Sequence, residues 1–126
     1  MIEYAITITN TGHDFSDSAN FRITDPLPAD TNLLVTDIGG AMSGPVGFTE
    51  GVPSGSGTTW SFGGLADPTD SVAFSADGSD YTYVPTADGQ GIDAAVTHLL
   101  LMPQGAFRAN PAQPPSATYT YRVVIQ

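Results

Sequence analysis

The sequence predicts an all-β chain, an antiparallel sandwich of about seven to nine strands. Three observations support this. Large apolar side chains recur at every second residue near both ends of the chain, the period that buries one face of a strand and wets the other. Fourteen glycines and ten prolines punctuate the chain too often for long helices. No apolar run approaches the ~20 residues of a membrane-spanning helix, and the greasiest stretch is only Leu99 to Met102.

Strands are expected near 2–9, 19–25, 31–37, 46–50, 58–62, 71–75, 80–84, 96–102 and 117–125. In the first, Ile2, Tyr4, Ile6 and Ile8 share one face, and Asn10-Thr11-Gly12 supplies turn chemistry after it. In the second, Ala19, Phe21 and Ile23 point one way and Asn20, Arg22 and Thr24 the other. Pro26 holds Asp25 extended and lacks a donor, so pairing is expected to end there, with Leu27 plugging the end of the sandwich. The third and fourth strands are bounded by Gly39-Gly40 and by Pro53-Ser54-Gly55-Ser56-Gly57. In 58–62, Trp60 and Phe62 alternate with Thr59 and Ser61 and face the core. Gly63-Gly64, Asp67-Pro68 and Asp77-Gly78 delimit 71–75, and Tyr81 and Tyr83 share a face of 80–84. Ile92, Ala95, Val96, Leu99 and Leu100 fit helical spacing with Asp93 as N-cap, but from Val96 onward they also read as a buried strand ending at Pro103. The last strand sets Tyr119, Tyr121, Val123 and Ile125 on one face. Arg22 and Arg122 fall on outward faces, solvated or paired with surface Asp. Tyr4, Ile6, Ile8, Phe21, Ile23, Tyr121, Val123 and Ile125 are the expected filling between two layers.

A length of 126 residues fits a single domain, 1–126, with an apolar content of 40% that suffices for one core. The chain begins and ends inside strands, which reads as one unit of a larger protein. Thirteen acids, eleven of them Asp, face three arginines and no lysine, for a net charge of −10. Such a surface repels phosphate backbones, so nucleic acid is not an expected partner, nor is insertion into a membrane. With no cysteine there is no disulfide, thiolate nucleophile or sulfur ligand.

Tyr4-x-Ile6-x-Ile8-x-Asn10-Thr11-Gly12, together with Ile23-Thr24-Asp25-Pro26-Leu27-Pro28, resembles the conserved repeat domain of bacterial and archaeal cell-surface proteins. A second similarity lies in Asp77-Gly78, Tyr83-x-Pro85, Asp88-Gly89, Asp93-x-Ala95-Val96-Thr97-His98 and Pro103-x-Gly105. The stretch from Gly39 to Gly64 has no counterpart. The resemblance implies an Ig-like sandwich, usually present in tandem, in an extracellular or surface-attached protein. It also favours a strand over a helix after Val96, and it implies no catalytic residue.

Chemistry-bearing groups are sparse. No Gly-x-Ser-x-Gly elbow occurs, and His13 and His98 read as a turn and a sheet histidine, so no catalytic residue and no enzyme activity are expected. No cofactor is expected and no metal site is favoured. Calcium is the secondary candidate, because Asp residues beside Gly in turns can converge oxygens on a hard cation. Asp88 and Asp93 rank first, then Asp77 and Asp80, with Asp67-x-x-Asp70 a further pair. Asp-Gly is equally an ordinary turn dipeptide. Trp60, Tyr81 and Tyr83 could stack on sugars, although core burial explains them more simply. The expected function is a non-catalytic spacer or adhesion-associated module at the bacterial cell surface. Its expected partners are neighbouring domains, identical copies, a glycan or a host or cell-surface protein. The alternatives are a filament subunit assembling by strand pairing or donation and a carbohydrate-binding module.

Overall fold

A computed structural model describes residues 1–15 and 21–126. Among them there is no helix; eight strands form two antiparallel sheets. The strands are β1 (Ile2–Thr9), β2 (Ile23–Pro26), β3 (Thr31–Leu34), β4 (Gly47–Glu50), β5 (Val72–Ser75), β6 (Ile92–Asp93), β7 (His98–Leu101) and β8 (Ser116–Ile125). The larger sheet runs β1-β8-β3-β6, with β4 also on β8, and the smaller runs β2-β7-β5. One core draws Leu33, Tyr119 and Val123 from the first and Val72, Phe74, Leu99 and Leu101 from the second, an arrangement consistent with a β-sandwich.

The two strands with the clearest alternation pair with each other along their whole length, from Ile2 opposite Val123 to Thr9 opposite Ser116. This register puts Tyr4 against Tyr121, whose rings stack at 5.6 Å. Of the eight expected filling residues, Tyr121 and Val123 are buried, and Tyr4, Ile6, Ile8, Phe21 and Ile23 pack half-buried against the core. Ile125 departs from expectation: it pairs with Thr31 at the end of β8, yet its side chain is 62% exposed.

Several expected strands are shorter or absent. Strand 19–25 begins at Ile23, while Ala19 and Asn20 lie outside the described residues. Strands 31–37 and 96–102 contract to β3 and β7, and 46–50 to β4. The 58–62 segment is no strand, because Thr59 and Gln104 form one isolated bridge and Ser61 turns to Ser71 instead. The 80–84 segment likewise touches β5 only at the Phe74–Tyr83 bridge, since Asp80 folds the chain into a side-chain-capped turn. An unexpected two-residue strand, β6, pairs Ile92 and Asp93 with β3. The helical alternative fails there: Asp93 Oδ1 accepts from Ala95 N–H at 2.8 Å as an N-cap would, but Thr97 N–H already donates to Ser75 O and the chain continues as β7.

β2 ends at Pro26, as expected, with one bond beyond it. Leu27 N–H still donates to Thr97 O at 2.9 Å. In an antiparallel pair alternate residues face the partner, so Pro26 turns its missing N–H to the free side of β2, where no ladder bond is lost.

Candidate functional site

The Asp-rich loops around β5, β6 and β7 are the candidate site. Asp77 follows β5, and its Oδ1 accepts from Ser79 N–H, Asp80 N–H and the Ser75 hydroxyl at 2.8 to 3.0 Å. Those bonds hold its carboxyl below the usual range, the Asp80 N–H contributing most. Gly78 follows at φ +81, and the His98 ring lies where a side chain there would stand. Asp80 Oδ1 accepts from Thr82 N–H and hydroxyl. Asp88 accepts from Gln90 and Ile92 N–H, with the Ile92 bond the main cause of its lowered pKa.

Asp93 is the most enclosed of the four, at 7% exposure. Its Oδ2 accepts from the Tyr83 hydroxyl and from Thr86 N–H, both at 2.8 Å, while Oδ1 closes the Ala95 turn. The bond to Asp93 raises the Tyr83 pKa, since a phenol that donates resists losing its proton. Asp70, also buried, accepts from Gly63 and Val72 N–H; burial raises its pKa against those two bonds. Asp67 accepts from Thr69 and is lowered, chiefly by the Thr69 hydroxyl.

The calcium candidates are therefore loop-holding side chains. Asp77 sits at one turn with Asp80 beside it, Asp88 precedes β6 and Asp93 lies in it; the first three accept from their own loops and Asp93 from Thr86, Tyr83 and Ala95. Among the described residues no group of three or more acidic or histidine side chains is placed to hold a metal ion. Asp93→Ala strips three accepted bonds from a buried position and is expected to cost on the order of 3 kcal/mol. Thermal melts with millimolar calcium and with EDTA should coincide for the wild type, and the variant should fall equally in both. A calcium-dependent rise of several degrees would instead make these aspartates ligands.

His98 Nδ1 shares a hydrogen bond with Thr97 Oγ1 at 2.8 Å, and His13 lies exposed in its turn. Among the described residues neither bonds a serine hydroxyl, as a catalytic chain would require. The three rings of the proposed sugar platform do not come together. Trp60 packs against Phe48 and Tyr119 at 6.0 and 5.5 Å, and Tyr83 is tied to Asp93. Tyr81 and Tyr83 both line a groove of 380 Å³ beside Ala73, Leu100, Met102 and Arg22, away from Trp60.

Sequence reasoning missed this groove, because alternation reads the faces of one segment and not how 65–68 and 81–84 lie against β5 and β7. It also misplaced Arg122, whose guanidinium donates to the main-chain carbonyls of Thr36 and Asp37 at 3.1 and 2.9 Å instead of to an Asp carboxylate. Comparison with protein-family models, with curated proteins and with solved structures finds no match to this chain.

Proposed function

We propose that this chain is a non-catalytic, Ig-like module of a bacterial extracellular or cell-surface protein, structural or adhesion-associated in role. The observation that carries the reading is the use made of the acidic side chains. Asp70, Asp77, Asp80 and Asp88 each accept main-chain N–H bonds within their own connections, and Asp93 of β6 accepts from Thr86 in the connection before it, so they stiffen long connections in a chain without disulfides. The resemblance in 4–12 and 23–28 supports the surface setting.

Protease shaving of intact producing cells, read with an antibody to this module, tests the setting. Loss of the signal from whole cells is expected; a signal that survives shaving and vanishes only after lysis would defeat the proposal.

The carbohydrate-binding alternative keeps one foothold, the groove beside Tyr81. A glycan array on wild type and Tyr81→Ala reads it: binding lost in the variant would replace the structural reading.

A further inference from the structure

Antiparallel pairing fixes which backbone groups of β1 are used. Asn10 N–H donates to Pro115 O at 3.0 Å, so by alternation Ile2, Tyr4, Ile6 and Ile8 direct their amides and carbonyls at β8. Glu3, Ala5, Thr7 and Thr9 then direct theirs away from the sheet, and among the described residues no strand lies on that side. The pairing with β8 is one-to-one over the full 8 residues, so no bulge twists the edge aside. The smaller sheet guards its edges: Pro26 blunts β2, and Tyr83 N–H caps β5 at Phe74 O. At the other end of the larger sheet, β6 is only 2 residues long. Natural sheets rarely leave a long, flat edge open, and β1 is that edge here, with Glu3 as its sole charge.

We propose that β1 pairs edge to edge with β1 of a second copy of this chain, forming a two-fold antiparallel dimer through its four outward backbone positions. The strand is self-complementary in one register, with Ala5 opposite Thr7 of the second copy and Glu3 opposite Thr9. All four outward residues of each copy are then bonded. Ile6 faces Ile6 and Tyr4 faces Ile8 at the closely spaced, non-bonded positions, covering apolar side chains left half-buried in the single copy. The two Glu3 carboxylates sit six residues apart along the ladder, about 20 Å at the rise of a strand, beyond the ~8 Å screening length of physiological salt. Because the pairing is isologous it uses up the edge, giving a closed dimer and no filament.

Each copy carries a charge of −10, which opposes association until salt screens it, and an interface this narrow is weak. Neither the dimer nor its test depends on the surface-module reading. Sedimentation equilibrium is therefore expected to show the mass rising from 13.1 kDa toward twice that value with concentration, and more steeply in 0.5 M salt.

Ala5→Pro is the discriminating variant: among the described residues the Ala5 N–H serves no bond, so proline blocks the outward edge and spares the β1–β8 ladder. It should remain monomeric with an unchanged melting temperature. Ala5→Asp, which adds like charge beside Glu3, should be monomeric as well and covers the case in which the proline disturbs folding. In amide exchange, Glu3, Ala5, Thr7 and Thr9 should gain protection on concentration. A wild type that stays monomeric at millimolar concentration in salt, or a dimer that persists in either folded variant, overturns the proposal.

Discussion

Phe74→Ala is expected to remove about 3–5 kcal/mol of stability, the usual cost of emptying a buried aromatic site. Phe74 is 1% exposed, stands opposite Leu99 in β7, and accepts the Tyr83 bridge at its carbonyl. Removing the ring opens a void between two strands whose other core residues, Val72, Leu99 and Leu101, are 3% exposed or less, so little can collapse into it. A domain of this size has about 5–15 kcal/mol in total, and at about 4 °C per kcal/mol the melting temperature should fall by about 12–20 °C. Phe74→Leu should cost much less. A small loss for the alanine variant would mean that the two sheets do not close on Phe74.

Alkali is expected to unfold the protein steeply, with the loss beginning near pH 10. Tyr119 is fully buried, and burial pushes its hydroxyl from 10 up to about 12; among the described residues that hydroxyl has no hydrogen-bond partner. Tyr121 is raised too, by burial first and by the Asp25 carboxylate second. A phenol whose pKa is higher in the folded state stabilises fully below pH 10. That contribution drains away as pH climbs, because the unfolded chain then releases a proton the folded chain must keep. For Tyr119 the step from 10 to about 12 is worth about 3 kcal/mol at about 1.4 kcal/mol per pH unit. Denaturant melts between pH 8 and 12 should therefore show a falling midpoint, shallower in Tyr119→Phe. That variant should match the wild type at pH 7, since it deletes a buried hydroxyl without a partner. Equal slopes for the two proteins would place Tyr119 in solvent.

β1 and β8 were legible because each is long and alternates over its whole length, and nothing but two stacked layers uses that period twice. The same period misled at Trp60 and Phe62 and again at Tyr81 and Tyr83. Both pairs do turn rings inward or sideways, yet their backbones bond through isolated bridges and side-chain-capped turns. Burial of alternate side chains does not require a ladder. β6 left no signal, being two residues behind a glycine at φ +82.

The Asp-Gly turns were legible as turns, but not the direction in which their carboxylates point, which depends on N–H groups brought near by the fold. Asp93 shows this best: its partners Tyr83 and Thr86 come from a segment 7 to 10 residues away. The open side of β1 was equally hidden, because alternation reveals which side chains face inward and never which amides face a partner strand.

Amide hydrogen exchange, residue by residue in dilute low-salt solution, puts this architecture to its most direct test. β8 is paired with β1 on one side and with β3 and β4 on the other. Its amides from Ala117 to Thr120 should be protected at odd and even positions alike, and those of β1 at even positions only. Rapid exchange throughout β8, or uniform protection along β1 in the monomer, would contradict it.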